Sequence, residues 1–548
     1  MSVRSWLVNK TMGKEIDKRV NEALNVFKYE VPGKEYNLSR LATFRQQEYK
    51  IWASGNVADL MKFYGMYSIV PGETYSSQRQ LFWEWVRGIN SLAKMHFPTP
   101  NIIINQMKSL IFADDLDIEL GLLDEKGARK DKDSNVLQDR LIKILEDNDS
   151  NEKYQTGVAL ETYSGSLAYR LMFDSELSDC PILMPYPAER VKLRSKLGRI
   201  QEIIFEDEYA NENKKYLLKS YYGKGYIKYR LFLLKPGGDI DKQVPVDTVP
   251  ELEEGYNDIV ITLDGETPIP VILAVFKKNR TQTNEFQDTM YGGSDFEGVT
   301  DIFQVIDEIY SQKTTYIRRS RPIIQMTDRN IKHDKNGKEI LPKEWELDTL
   351  ITEGDEALEN KSGLRRDIPE LNLIPYDDSI KEEMKNVWMT IGLAYTTVGL
   401  EANSANQSGV SLEIKERSTV IVRNNKIKLW DKFLKDTYRL LLIFDQLNTA
   451  SVSTQDDGVQ VYKIDTIHDN LDINIEFPVY NNQTFEERID TATKALGVVF
   501  DYGASIEYAL RNRYTEDEMK EILINMKIEN GIPAIGNQLE NTVPVDTE

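Results

Sequence analysis

Residues able to do chemistry are scattered along the chain rather than gathered into a motif. Adjacent acids could offer carboxylate oxygens to a divalent cation, and such pairs are Asp114/Asp115, Asp377/Asp378 and Asp456/Asp457. The chain contains 89 acidic residues, so adjacency by chance is the favoured interpretation. The sequence therefore predicts no metal centre at these pairs.

Histidine and cysteine give no compact pattern of metal ligands. His96, His333 and His468 are far apart, and Cys180 is the only cysteine. A zinc site would need distant folding to gather such ligands, so ordinary surface or core histidines are favoured. A single cysteine excludes an intrachain disulfide framework and suits a reducing cytoplasm.

Catalytic signatures are absent from the sequence. It contains no G-x-x-x-x-G-K-[ST], no H-E-x-x-H and no C-x-x-C. Gly223–Gly225 is a Gly-x-Gly without a third glycine, between two segments of strand composition. A hairpin turn is the better interpretation of it. The sequence therefore predicts a protein that is not an enzyme and that holds no cofactor.

Composition limits the kinds of partner that the chain could have. A formal net charge of −21 argues against a protein that binds nucleic-acid phosphates over its general surface, because such surfaces are rich in Lys and Arg. The same charge is compatible with a channel that lets DNA slide. A length of 548 residues, 41% of them hydrophobic, favours roughly two to four folded domains. Neither a signal peptide nor a transmembrane run is predicted.

The elements that must position any functional residue are clearest in the segment from Glu297 to Asn448. Glu297–Ser320 has apolar residues at helical spacing, namely Ile302, Val305, Ile306 and Ile309. A mixed polar insert follows, and a second helix is predicted to begin near Ser379. Val410–Leu447 then contains no Pro or Gly, which predicts a helix of roughly 55 Å.

The rest of the chain divides by composition. Residues 1–150 are predicted to be mainly helical, with amphipathic spacing in Glu15–Lys28 and Gln78–Met95. Residues 180–275 are predicted to form strands rich in β-branched and aromatic residues. These strands are Arg199–Glu206, Lys215–Tyr222, Tyr226–Leu234 and Asp258–Leu263.

The order of helix, insert, helix, polar loop and very long helix resembles the portal proteins of tailed bacteriophages, of the siphovirus type. Further pieces that match this family are Phe97–Leu120, Tyr163–Pro187 and Leu471–Arg513. The resemblance implies an α+β multidomain portal fold with a wing, a helical stem, a small α/β clip, a long tunnel helix and a helical crown.

The same resemblance implies the domain boundaries. The wing would span 1–296, helical first and then β-rich, with return strands at 448–482. Stem helices at 297–320 and 379–398 would flank the clip at 321–378. The tunnel loop and long helix would span 399–447, the crown helices 483–530, and an acidic tail expected to be disordered 531–548.

A member of this family would assemble into a ring, by resemblance a dodecamer, around a channel at one capsid vertex. It would serve procapsid assembly, genome packaging, genome ejection and head–tail connector attachment, and it would do no chemistry itself. Its implied partners are other copies of the chain, the major capsid protein and scaffold, the large terminase, a head–tail adaptor and double-stranded DNA. No membrane partner is implied. The expected location is the virion, and the host cytoplasm during assembly.

Two other functions stay open at this point. One is a soluble multidomain enzyme that processes nucleic acid, and the missing motifs and strong acidity count against it. The other is a different virion structural protein, such as a scaffold or baseplate component. The order of the helices favours a portal protein over both.

The loop Gly399–Gly409 is composed almost wholly of small and amide side chains. Its neutral donors and acceptors could touch a moving DNA backbone without ionic trapping, and they are Asn403, Ser404, Asn406, Gln407 and Ser408. The alternative is a flexible connection between helices. The family resemblance places a DNA-facing tunnel loop here and so favours the first interpretation.

The long helix carries a basic stripe at i, i+4, i+7 and i+11, formed by Lys428, Lys432, Lys435 and Arg439. On the opposite side lie Ile427, Trp430, Phe433, Leu434 and Leu441. The stripe, with Trp430 and Phe433, is predicted to contact neighbouring subunits. The alternative is a solvated face that balances Asp431 and Asp436.

A second basic cluster, Arg318, Arg319 and Arg321, ends the first stem helix. It could simply complement the dipole at the helix C-terminus. It could equally form a basic belt at the junction of stem and clip, facing the channel or a partner. The sequence does not decide between these two roles.

Overall fold

The computed structural model describes residues 40–67, 82–83, 94–122, 131–174, 177–211, 214–235, 238–252, 256–280, 290–320, 371–398, 409–454, 459–467 and 471–478, and five short strands between 323 and 367. The chain divides into two compact units, Met1–Leu400 with Ser418–Pro478, and Glu401–Arg417 with Val479–Glu548. In the second unit, the described part is residues 409–417, which begin the longest helix.

Eight α-helices are formed by the described residues. In chain order they are α1 (Arg40–Ser54), α2 (Val57–Tyr67), α3 (Thr99–Ile111), α4 (Asp131–Asp147), α5 (Ser150–Ser164), α6 (Thr300–Arg319), α7 (Ile374–Thr390) and α8 (Gly409–Asp445). The predicted helix Glu15–Lys28 lies outside the described residues, as does most of Gln78–Met95. Within the latter, Phe82 and Trp83 form a turn.

The strands alternate with these helices, which makes the chain a mixed α+β fold. They are β1 (Asp117–Leu122), β2 (Ser166–Met172), β3 (Ile182–Pro187), β4 (Val191–Lys196), β5 (Arg199–Asn211), β6 (Lys214–Tyr222), β7 (Tyr226–Leu234), β8 (Ile240–Val244), β9 (Ile259–Thr262), β10 (Ala274–Lys278), β11 (Ile323–Thr327), β12 (Lys332–His333), β13 (Glu339–Ile340), β14 (Thr349–Thr352), β15 (Leu364–Asp367), β16 (Ser451–Thr454), β17 (Gln460–Lys463) and β18 (Leu471–Glu476).

The largest sheet has the order β16-β17-β9-β7-β6-β5-β4, and β8 pairs with β7 outside this path. Its central strands are the β-branched and aromatic segments that the sequence predicts. The predicted hairpin at Gly223–Gly225 is confirmed, because β6 and β7 are antiparallel with Tyr222 opposite Ile227. Gly225 has a φ of +68° there, a conformation that glycine adopts without strain.

Two smaller sheets pack against the helices α4 and α5, with β2 and β3 against α5 and β1 against α4. In one, β2 lies between β10 and β3, and all neighbours are antiparallel. In the other, β1 pairs with β18, from Asp117 opposite Glu476 to Leu122 opposite Leu471. The chain therefore returns, after its longest helix, to strands that begin far upstream in the sequence.

Helices α6 and α7 pack against each other on either side of an insert. Lys313 of α6 pairs with Asp377 of α7, and the rings of Tyr316 and Tyr376 lie 6.0 Å apart. In the insert, β11 pairs in parallel with β14 and antiparallel with β15, and β12 pairs with β13. Helix, insert and helix thus follow in the predicted order.

The start of the second of these helices differs from its prediction. Helix α7 begins at Ile374, five residues before Ser379, because Pro375 occupies its first turn, where a missing N–H costs nothing. It ends at Thr390 because Gly392 adopts a φ of +81°. Residues 374–378, predicted to belong to the insert, are therefore helical.

The long helix α8 has 37 residues, from Gly409 to Asp445. The prediction of Val410–Leu447 is confirmed to within two residues at each end. Residues 446–448 tighten into a 3-10 turn before β16. The predicted crown helices at 483–530 and the tail at 531–548 lie outside the described residues.

Candidate functional site: the buried part of the long helix

One side of α8 is buried in the body of the first unit. Residues adjacent at helical spacing form this side, and they are Trp430, Phe433, Leu434, Tyr438 and Leu441. Each has an exposed fraction of 2% or less. The predicted apolar side of the helix is therefore confirmed, apart from Ile427, which is half-buried.

Trp430 is the centre of this contact. Its ring lies edge-on to Phe112, 4.9 Å between centroids, and 5.5 Å from Phe433. Helix α5 can approach it because residue 157 is glycine. A Cβ on Gly157 would lie 3.0 Å from Trp430 Cη2 and 2.9 Å from Leu167 Cδ2, closer than carbon atoms pack.

A buried acid holds the polar edge of the same indole. Trp430 Nε1 donates to Glu161 Oε1 over 2.8 Å, and Lys277 Nζ donates to Glu161 Oε2. The Lys277 ammonium also lies 4.0 Å above the indole ring, at cation–π distance. Burial lowers the pKa of Lys277 to about 8, and the Glu161 carboxylate opposes that shift.

A second buried ion pair lies one helical turn earlier on α8. Lys426 Nζ donates to Asp295 Oδ2 over 2.8 Å and also to Asn279 Oδ1. Asp295 is fixed in turn, because its backbone N–H donates to Thr162 O over 2.9 Å. Two ammonium groups and two carboxylates thus join α8 to α5, to the end of β10 and to the segment before α6.

Further contacts hold the helix toward each end of this region. The phenols of Tyr154 and Tyr438 are 2.9 Å apart, and burial raises the pKa of Tyr154 to about 12, so this hydrogen bond stays neutral. Arg140 of α4 binds the Asp445 carboxylate with two nitrogens. Arg423 Nε donates to Leu110 O over 2.8 Å.

These contacts correct one expectation. Trp430 and Phe433 were expected among the residues that contact neighbouring subunits. Both side chains are covered by residues of their own chain, because Tyr169 and Phe112 fill the space around them. Their role in this structure is to fix α8 within one subunit.

The basic stripe lies on the outer side of α8, as predicted. Its four members differ in whether they form a salt bridge. Lys435 pairs with Asp431 over 3.0 Å, and Arg439 with Asp436 over 3.5 Å. This pairing is what the solvated-face interpretation expects of two of the four residues. Lys428 and Lys432 are exposed, and a subunit contact through them stays a prediction.

Other predicted site residues fall in different places. The tunnel-loop residues Asn403, Ser404, Asn406, Gln407 and Ser408 lie outside the described residues. Arg318 is exposed in the last turn of α6. The side chain of Arg319 and all of Arg321 lie outside the described part.

The candidate metal ligands are used in ordinary contacts. His96 Nδ1 lies 2.9 Å from Asp307 Oδ2, Asp115 accepts from Asn151, and Asp377 pairs with Lys313. Within the described ranges, no three His, Cys, Asp or Glu side chains are placed to hold a metal ion. No described helix is both long enough and apolar enough to cross a membrane.

The site joins four elements through buried polar contacts. The charged groups around Trp430 are buried, and each pairs with a group on another element. Sequence reasoning missed the four charged members, Glu161, Lys277, Asp295 and Lys426. One signal was present: Lys426 is four residues before Trp430 and so lies on the apolar side of α8.

Comparisons with known proteins give a distant structural likeness. No protein-family model matches the chain, and no curated protein matches it. Its fold is similar to a solved structure described as "Neck of empty GTA particle computed with C6 symmetry". The TM-score is 0.35 and the sequence identity 9%, over 80% of this chain and 90% of that chain.

Proposed function

We propose that this chain is a portal protein of the tailed-phage type, which forms a ring around a DNA channel at one capsid vertex. The observation that carries the proposal is the path of the chain from α6 to α8. Two packed helices flank an insert of short strands, and a 37-residue helix follows. A helix of about 55 Å suits a subunit of a channel wall better than a compact catalytic domain.

The buried contacts of α8 support a role in which this helix bears load. DNA that moves through a channel pushes on the residues that touch it, and those residues must be held by a rigid element. Trp430 and its aromatic neighbours fix α8 by packing, Glu161 fixes it by the hydrogen bond from Trp430, and Asp295 fixes it by the ion pair with Lys426. Displacing the helix would take Lys426 away from Asp295, and a buried carboxylate left without its partner is costly.

The polar segment before α8 is proposed to be the tunnel loop, at the narrowest part of the channel. Asn403, Asn406 and Gln407 are neutral hydrogen-bonding residues. Neutral groups contact phosphates without the counterion release that makes Lys and Arg contacts tight. Together with a net charge of −21, such a loop would let DNA slide in either direction.

The proposed assembly has partners at each stage of its use. The ring would nucleate the procapsid with capsid and scaffold proteins, and would receive DNA from the terminase. It would later hold the head–tail adaptor and release the genome. The insert between α6 and α7 is proposed as the docking site for terminase and adaptor, since its short strands stand apart from the large sheet in chain order.

Native mass spectrometry of the purified full chain, with negative-stain microscopy of the same sample, tests the proposal. We expect a closed ring of about twelve copies with a central hole, because a heterologous interface gives a ring when its rotation divides a full turn evenly. A monomer or a compact dimer would overturn the proposal in favour of an enzyme. A filament or an assembly without a hole would overturn it in favour of another structural protein.

A further inference from the structure

The outer side of α8 differs in charge from the rest of this acidic chain. Its exposed residues from Ser418 to Lys432 include no acid, and they are Ser418, Ile421, Asn424, Asn425, Lys428, Leu429 and Lys432. Two of them are large aliphatic residues with solvent-exposed side chains: Ile421 is 53% exposed and Leu429 is 40% exposed. Apolar side chains that lie together on a surface can mark a protein contact, and here they lie beside basic residues.

Two lysines lie at the C-terminal end of this surface, and one of them, Lys432, interacts electrostatically with Asp436 one turn along the helix. Lys428 and Lys432 make no salt bridge in the described part of the chain, whereas the next two basic residues are paired along the helix. In a chain with 89 acids and 68 basic residues, two exposed lysines one helical turn apart that make no salt bridge to a described residue can pair with another molecule.

A groove of the opposite charge lies between β1, α4 and the start of α5. Its volume is about 820 Å³. Five acids line it, and they are Asp115, Asp117, Glu146, Asp149 and Glu152. Its floor includes Ile118, Ile142 and Leu145, and none of its lining residues is basic. None of the five acids makes a salt bridge to any described residue.

Within one subunit, the outer side of α8 points away from α5, the helix whose first residues line the groove. Successive helical residues are rotated by about 100°, so Lys428 and Lys432 point opposite to Trp430. Trp430 contacts α5 at Gly157 and Glu161, and the first residues of α5 line the groove. The two surfaces therefore cannot satisfy each other in a single chain, but they can do so between copies.

We propose that the outer side of α8 docks in the acidic groove of a second copy of this chain. Lys428 and Lys432 pair with carboxylates of the groove, and Ile421 and Leu429 cover its aliphatic floor. The contact joins two different surfaces. Each copy would present α8 to one neighbour and the groove to the other, as a ring requires. The inference rests on the proposed portal function and names the interface that closes the ring.

Charge reversal with rescue tests the contact. In full-length protein at low salt, Lys428→Glu with Lys432→Glu should raise the concentration needed for half-maximal ring assembly by about tenfold. Glu146→Lys with Glu152→Lys should have the same effect, and the four changes together should restore assembly. The matched control is Lys242→Glu with Lys463→Glu, two exposed lysines of the large sheet, which should leave assembly unchanged.

Disulfide trapping supplies a second readout that does not depend on charge. Lys432→Cys with Glu146→Cys in one chain should give covalent oligomers longer than dimers on oxidation, because each copy carries both halves. The native Cys180 is buried and should contribute little background. Each single cysteine variant should stay monomeric on a denaturing gel.

The outcomes separate this inference from the proposed function. If wild type forms rings but the reversed pairs neither fail singly nor rescue each other, the α8–groove contact is wrong and the portal function stands. If the lysine reversals abolish DNA binding and leave ring assembly unchanged, the outer side of α8 is a DNA surface and the inference is overturned. If wild type forms no ring, the proposed function itself fails.

Discussion

Trp430 Nε1 donates a hydrogen bond to Glu161 Oε1 over 2.8 Å, and both residues are fully buried. This bond connects the longest helix of the chain to α5, across 269 positions of sequence. Lys277 donates to the other oxygen of the same carboxylate. Glu161 therefore takes part in a hydrogen bond and an ion pair while it is buried by packing. The stability of the subunit should therefore respond strongly to changes at this point.

Replacing Trp430 with alanine should destabilise the folded chain by about 3–5 kcal/mol, the usual cost of removing a large buried aromatic side chain. Trp430→Phe should cost less, about 1–3 kcal/mol, since it keeps much of the packing and leaves one oxygen of Glu161 unpaired. Urea unfolding measures both values. Equal losses in the two variants would show that the hydrogen bond, and not the packing, dominates.

Gly157→Ala should destabilise the chain by about 1–3 kcal/mol, because the added Cβ would overpack the contact between α5 and α8. Trp430 Cη2 is one of the atoms in its way. The same change in a Trp430→Phe background should therefore cost less, since phenylalanine lacks that atom. Strict additivity in this double-mutant cycle would contradict the described contact.

The free energy of unfolding of the chain should change with pH above 8 because of the buried Lys277–Glu161 pair. Burial lowers the pKa of Lys277 to about 8, below its value of about 10.5 in an unfolded chain. Between these values the unfolded state binds more protons, so stability should rise with pH by up to about 1.4 kcal/mol per unit. That contribution is lost as pH falls through 8.

The matched reference for this measurement is the neutral double variant Glu161→Gln with Lys277→Met. Other groups titrate alike in both proteins, so the difference in unfolding free energy between them isolates the pair. In urea titrations, we expect the unfolding free energy of wild type to rise relative to that of the variant between pH 8 and pH 10. A relative loss over that interval would mean that the ammonium is stabilised rather than destabilised by its site.

Lysines in the proposed tunnel loop should slow DNA packaging. Asn403→Lys, Asn406→Lys and Gln407→Lys together add three phosphate contacts per subunit, and such contacts strengthen as salt is lowered. Packaging rate in vitro should fall most at low ionic strength. Three lysines at Ser451, Ser453 and Thr454 of the exposed strand β16 provide the control. Equal rates for loop variant and control at all salt concentrations would contradict a DNA-facing loop.

The sequence predicted the elements whose signal is local. A proline-free and glycine-free run marks α8, alternating β-branched residues mark β5 to β7, and Gly223–Gly225 marks their turn. The buried side of α8 also followed from spacing, since Trp430, Leu434 and Leu441 recur at helical intervals. In each case the sequence signal lies within a short stretch of the chain.

The sequence could not predict the polar centre of the site, because its members are brought together only by the fold. Glu161 lies on α5, where apolar and polar residues show no helical periodicity, and its partners are 116 and 269 positions away. Lys426 lies on the buried side of α8, but its partner Asp295 is 131 positions away. Pro375 lies within the predicted insert, whereas the structure places it in the first turn of α7.

The most direct test of the account is cryo-electron microscopy of the purified full-length chain, at a resolution that traces α8. The account predicts a closed ring in which every copy sends residues 399–408 to the lumen and holds α8 through Trp430 and Glu161 of the same subunit. A ring with that segment on its outer rim, or a particle without a central channel, would contradict it.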